Sequence, residues 1–171
     1  MTPPVAQAVD AALITVLVCA SYTDLRWRRI KNWLTYPVMV AGFAVNTLAG
    51  GWDGARLSAT GWLVGLGIMV LPFALGVMGA GDVKLIAAIG AVKGVHFLLL
   101  VTVYGSAAGG LLALYYLVRQ RRLGVTLRYI TYGWYGALRG NGPKAGAIPY
   151  APAIAVGVIL ALLPYSLITL Y

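Results

Sequence analysis

The stretch Val16-Leu17-Val18-Cys19-Ala20-Ser21-Tyr22-Thr23-Asp24-Leu25-Arg26-Trp27-Arg28-Arg29-Ile30-Lys31 passes from an apolar run, through a single carboxylate, into four basic residues. The run begins near residue 5, and its length suits one membrane-spanning helix, which needs about 20 residues. Lys and Arg gather at the cytoplasmic ends of such helices, so Arg26, Arg28, Arg29 and Lys31 mark that end. Asp24 sits where the two compositions meet. Carboxylates at membrane depth are costly and persist chiefly where they do chemistry, carry protons or pair with a cation.

The rest of the chain repeats the pattern. Of 171 residues, 61% are hydrophobic and 10% charged, too little charge to cover a soluble domain of this size. Apolar runs at 5–23, 33–50, 57–79, 83–92, 95–118 and 147–170 predict an all-α integral membrane protein. About six transmembrane helices fit, as a single membrane-embedded domain over residues 1–171. The separators are the first basic cluster, the turn-rich Gly50-Gly51-Trp52-Asp53-Gly54, the pair Lys93-Gly94 and the basic stretch 119–144. With the N-terminus outside, eleven of the 13 Lys and Arg fall on the inner side, and only Arg56 and Lys93 fall outside. The fourth run has ten residues, about 15 Å of helix, so it either extends past Lys93 or forms a half-length helix facing a watery cavity.

The net charge of +9 therefore reads as membrane topology, not as a nucleic-acid footprint. Cys19 is the only cysteine, so there is no internal disulfide and no Cys-x-x-Cys pair for zinc. Nothing in the sequence implies a metal or a cofactor.

The chain has no glutamate and four aspartates. Asp10 and Asp53 fall toward the outer side, as an interfacial residue and a turn residue. Asp24 and Asp82 share the inner side. Two carboxylates brought together cannot both ionise cheaply and tend to share one proton. One then acts as base toward a water while the other donates a proton to a carbonyl oxygen, which suits peptide-bond hydrolysis. Gly79 and Gly81, flanking Asp82, permit positive φ and leave a gap for an extended peptide. A plainer reading makes Asp82 the N-cap of the next helix and Asp24 a helix-end carboxylate neutralised by Arg26, Arg28 or Arg29. The residues alone leave both readings open.

Lys84 follows Asp82 by two positions and would not face it on a regular helix; it anchors the inner face or orients a substrate. Tyr22 is either a site hydrogen-bond donor or an interfacial belt tyrosine. Pro149, Tyr150 and Pro152 disrupt the start of the last helix, giving either a substrate-docking edge or a simple helix N-terminus. His96, the only histidine, falls at the outer interface. Segment 119–144 mixes Arg with Leu123, Tyr129 and Trp134, as an interfacial helix on anionic lipid or a lid would.

Gly79-Ala80-Gly81-Asp82-Val83-Lys84-Leu85-Ile86-Ala87-Ala88-Ile89-Gly90 resembles the GxGD signature of the type IV prepilin peptidases, a group of membrane aspartic proteases. Asp24 with Arg29-Ile30-Lys31-Asn32-Trp33 resembles their first aspartate motif, and Ile148-Pro149-Tyr150-Ala151-Pro152-Ala153 their last-helix motif. The resemblance implies a six-helix protease of the bacterial cytoplasmic membrane, with no cofactor, that removes the basic leader of prepilins or pseudopilins at the cytoplasmic face. Asp24 and Asp82 would be its catalytic pair. Larger members carry an N-methyltransferase region with paired cysteines between the first helices. Here only the loop 24–32 lies there, so the closer resemblance is to the short Tad/Flp-pilus type, and proteolysis rather than methylation is implied. Two other classes compete: a small proton-coupled transporter using the aspartates as a relay, and a non-enzymatic membrane subunit whose acids merely pair with arginines. A relay usually spreads its ionisable groups over several depths, whereas these two share one.

Overall fold

A computed structural model describes residues 3–74, 78–119 and 150–168, all helix and short connections with no strand among them. In chain order the helices are α1 (Pro3–Trp27), α2 (Asn32–Ala74), α3 (Ala80–Arg119) and α4 (Ala151–Ile168). The segment expected to form an interfacial helix or lid lies, apart from Arg119, outside the described residues, as does Pro149. α1, α2 and α3 are each long and apolar enough to cross a membrane. Their outward surface is apolar as well: Val18, Val40, Leu48, Leu63 and Leu71 are all exposed. A soluble protein does not present apolar surface on this scale, whereas lipid solvates it. The chain is a membrane protein, all-helical over the described residues.

Straight, the 43 residues of α2 would run about 65 Å, twice the hydrocarbon thickness of a bilayer. α2 instead breaks at Gly51 (φ 56°) and α3 at Gly94 (φ 78°), both in the region that side-chain-bearing residues rarely adopt. The arms 32–50 and 52–74 of α2 then run antiparallel, with Ser58 Oγ donating to the Gly42 carbonyl at 3.4 Å. The arms 80–93 and 95–119 of α3 fold back in the same way, bringing Leu98 against Gly90. Both breaks fall in the separators that the sequence marks. Helical structure begins one turn before the short fourth apolar run and continues through Lys93.

A helix break in a packed interior strands carbonyls that must find a partner within the protein. At Gly94 the remedy comes from another helix. Asn46, buried on α2, places its side-chain nitrogen 3.1 Å and 3.0 Å from the Ala91 and Val92 carbonyl oxygens and 2.8 Å from Ser58 Oγ. One amide thus ties both arms of α2 to the end of the first arm of α3. Next to it Lys93, nearly buried, pairs with Asp10 of α1 and lies over the Phe97 ring. Asp10, expected to be an interfacial residue, is the partner of this nearly buried ammonium, which requires a carboxylate beside it.

The first arm of α3 is the hub of the core. Leu85, Ile86, Ala87, Ala88, Ile89 and Ala91 are all buried. The second arm of α2 packs on it backbone to backbone, because a Cβ on Gly61 would strike the Gly90 carbonyl and one on Gly90 would strike that of Gly61. Lipid supplies no hydrophobic drive between helices, so close contact of small residues supplies the association energy.

Two measurements test this packing. Asn46→Leu should destabilise the protein by about 2–3 kcal/mol in a denaturant titration in detergent, since two buried carbonyls lose their donor. Asn46→Asp should cost more, because it sets a carboxylate against the same carbonyls. Gly61→Ala should be severely destabilising or fail to assemble, since the atom it meets is backbone. Gly67→Ala, with open space around it, should be neutral or stabilising by up to about 1 kcal/mol.

Candidate active site

Asp24 lies in the last turn of α1 and Asp82 in the first turn of α3, 58 positions apart in the chain. Each is brought to the site by a helix end. α1 stops at Trp27, and Arg28 takes a left-handed conformation (φ 51°) with its amide donating to the Asp24 carbonyl at 2.7 Å. This is the αL way of closing a helix, here without glycine. The short connection to α2 then carries Ile30 inward onto Gly81, where an added Cβ would come within 3.0 Å of the Ile30 Cβ.

The fit between Ile30 and Gly81 seats the end of α1 on the start of α3. It also differs from the gap and the positive φ expected there. The space at Gly81 is filled by the protein's own loop, and the glycines with positive φ among the described residues are Gly51 and Gly94, not Gly79 or Gly81.

Both carboxyls are buried, with Asp24 6% and Asp82 8% exposed, so each depends on protein donors. Asp24 Oδ2 accepts from the Ala151 amide, the first residue of α4, at 3.0 Å. The Tyr150 backbone also interacts with it, and Arg28 is the arginine whose charge reaches it. Asp24 thus caps a helix 127 positions away, and the positive end of the α4 dipole faces it.

Asp82 is not itself an N-cap, contrary to the plainer sequence reading. α3 begins at Ala80, which puts Asp82 three residues past the cap Gly79, and its Oδ2 accepts from the Gly79 amide at 3.2 Å. This is the returning half of a capping box. Its other oxygen, Oδ1, is buried with no hydrogen-bond partner among the described residues. The two carboxyls are close enough that the Asp24 charge acts on Asp82, and the Tyr150 phenol lies in the field of Asp82. Structure therefore brings together Asp24, Asp82, Gly79, Gly81 and Tyr150.

Lys84 points elsewhere. Its Nζ donates to Asn32 Oδ1 at 2.8 Å and sits 5.1 Å from the centre of the Tyr36 ring, tying the starts of α2 and α3 together. Tyr22 is exposed and packs edge-on against Trp27, outside the site. His96 is exposed on the second arm of α3, and no cluster of metal-ligating side chains occurs among the described residues.

The contribution of the Ala151 amide was not legible in the sequence, because a backbone donor carries no residue signature. Asn46 and Ile30 were missed too. A lone amide between Val45 and Thr47 in an apolar run was a usable signal for Asn46; nothing marked Ile30.

Residues 11–114 match the type IV leader peptidase family. A prepilin leader peptidase/N-methyltransferase of Bacillus subtilis (strain 168) is 30% identical over 153 residues, which cover 88% of this chain and 53% of that protein. The chain thus spans about half the length of the curated relative it matches. No solved structure matches. With the match extending over most of the chain and across both aspartates, the chain belongs to the type IV leader peptidase family.

Proposed function

We propose that this protein is a membrane aspartic endopeptidase that removes the basic leader of prepilin-like precursors, with Asp24 and Asp82 as its catalytic pair. The observation that carries this is the meeting of two buried carboxyls from distant helices, one of which keeps an oxygen with no partner among the described residues. A buried acceptor without a donor is costly in a purely structural carboxylate, and it is what a group that must bind a water or a peptide carbonyl requires.

In the reaction, the ionised carboxyl takes a proton from a water as the water oxygen bonds to the scissile carbonyl carbon. The protonated carboxyl gives its proton to the carbonyl oxygen, forming a neutral tetrahedral gem-diol. Collapse of this intermediate breaks the C–N bond. The leaving nitrogen takes the proton held by the first carboxyl, and the gem-diol hydroxyl returns one to the second. The Ala151 and Gly79 amides hold one oxygen of each acid in place throughout. No cofactor enters.

The same proposal covers topology and type. Six crossings with the N-terminus outside put Arg26, Arg28, Arg29, Lys31 and both aspartates on the cytoplasmic side of a bacterial inner membrane. Only the peptidase part of the relative's double name is carried over. Residues 28–31, the whole connection between α1 and α2, leave no room there for the methyltransferase region that the resemblance would place at that point. The short Tad/Flp-pilus type fits this best.

Reconstituted protein should cleave a prepilin substrate, and Asp24→Asn and Asp82→Asn should each lower the rate by at least about a thousandfold, the scale expected when a paired acid or base is removed. Both variants should still fold, because an Asn oxygen can accept the same backbone bond. Cleavage surviving in either would refute the pair; a lost proton flux with intact cleavage would favour a transporter. For topology, Arg29→Cys and Asp53→Cys, each with Cys19→Ser, should react with a membrane-impermeant maleimide from opposite sides of inner-membrane vesicles. Labelling from the same side would exclude the six-crossing arrangement.

A further inference from the structure

Tyr150 is tied to both acids of the candidate site, through opposite ends of one residue. Its backbone interacts with Asp24, and the next amide in the chain, that of Ala151, donates to Asp24 Oδ2 at 3.0 Å. Its phenol, at the far end of the side chain, lies in the field of Asp82. The ring is seated on α3, where a Cβ added to the buried Gly109 would stand 3.5 Å from the ring edge. A tyrosine side chain turns about two torsions only, so a fixed backbone and a seated ring leave the hydroxyl little freedom.

Among the described residues the hydroxyl bonds to neither carboxyl, although Asp82 Oδ1 is buried there with no donor. A donor and an acceptor that share a site without meeting leave room for a third polar group between them. Neighbouring hydroxyls are engaged elsewhere: Thr23 Oγ1 donates to the Ala20 carbonyl at 2.9 Å, and Tyr22 is exposed against Trp27. Ser21 Oγ, one turn before Asp24, also has no partner among the described residues, but it stands on the helix of Asp24 alone, whereas Tyr150 reaches both acids. A phenol ionises only at about pH 10 in water, so at neutral pH it is an uncharged donor. Such a group sits beside two carboxyls without neutralising either.

On the peptidase reading above, we propose that Tyr150 is a third catalytic residue, whose hydroxyl donates a hydrogen bond to the scissile carbonyl oxygen as charge builds there. The phenol keeps its proton throughout. The proton that ends on the carbonyl oxygen still comes from the protonated carboxyl, and Tyr150 supports that oxygen until the transfer and in the gem-diol that follows. This bond strengthens as negative charge develops on the oxygen, so it favours the transition state over the bound substrate. Its removal therefore slows turnover and leaves substrate affinity largely unchanged.

The test compares the reconstituted wild-type chain with Tyr150→Phe, which keeps the ring over Gly109 and the backbone at Asp24 and loses only the hydroxyl. With a prepilin substrate kcat should fall at least about tenfold, toward the roughly hundredfold loss that follows removal of one oxyanion donor. KM should stay within about threefold, and the unfolding midpoint in detergent should not move. A prepilin peptide with its scissile bond replaced by a hydroxymethylene group, which mimics the tetrahedral intermediate, should bind Tyr150→Phe more weakly by the factor lost in kcat/KM. Replacing Tyr150 with 4-aminophenylalanine, which keeps a donor at the ring tip, should give a rate between the two, and Tyr22→Phe should cleave like wild type. Cleavage by Tyr150→Phe within about threefold of wild type overturns the role, as does a loss confined to KM or unchanged binding of the hydroxymethylene peptide. A loss in Ser21→Ala with none in Tyr150→Phe overturns it too and gives the donor to Ser21. Each of these results leaves the aspartate pair standing, since that falls only if wild-type cleavage is absent or survives Asp24→Asn or Asp82→Asn.

Discussion

A helix that ends or breaks in a packed interior leaves backbone groups that must find a partner within the protein, and the rest of this structure is arranged around that constraint. It is met three times by a side chain. Asn46 answers the carbonyls released where α3 breaks at Gly94. Asp24 answers the first amide of α4, and Asp82 answers the amide of the cap that starts α3. Two of these three groups are the acids of the candidate active site. The carboxyls are thus held by the bonds that finish the helices, and no separate scaffold is needed to position them.

The arrangement leaves a division of labour within each acid. One oxygen of each is committed to backbone, which fixes the carboxyl in space. On Asp82 the second oxygen, buried as well, has no donor among the described residues. A buried carboxyl held in this way is costly to the fold, and the cost is offset by the surrounding packing. The first arm of α3, buried almost throughout, provides that packing through the contact of Gly61 with Gly90 and the bond network of Asn46.

Glycine serves two different purposes here. Gly51 and Gly94 are needed for their dihedrals, which turn two long helices back on themselves. Gly61, Gly81 and Gly90 are needed for the side chain they lack. At Gly81 the vacated space belongs to Ile30, so the glycine beside the aspartate assembles the site rather than admitting substrate directly.

Local composition was enough for the membrane class, the helical content and the two breaks at Gly51 and Gly94, and it singled out the two acids that the structure brings near one another. Each of these follows from short-range rules: apolar runs demand lipid, glycine clusters break helices, and a carboxylate at the end of an apolar run needs a reason to exist. Tertiary structure decided what those acids touch. That Asp24 meets the Ala151 amide, that Ile30 fills the space at Gly81, that Asp10 is paired with Lys93 and that Lys84 turns to Asn32 are all contacts between residues remote in the chain. Backbone donors and missing Cβ atoms carry no side-chain signature, so their partners emerge only when helices from distant parts of the sequence pack against one another.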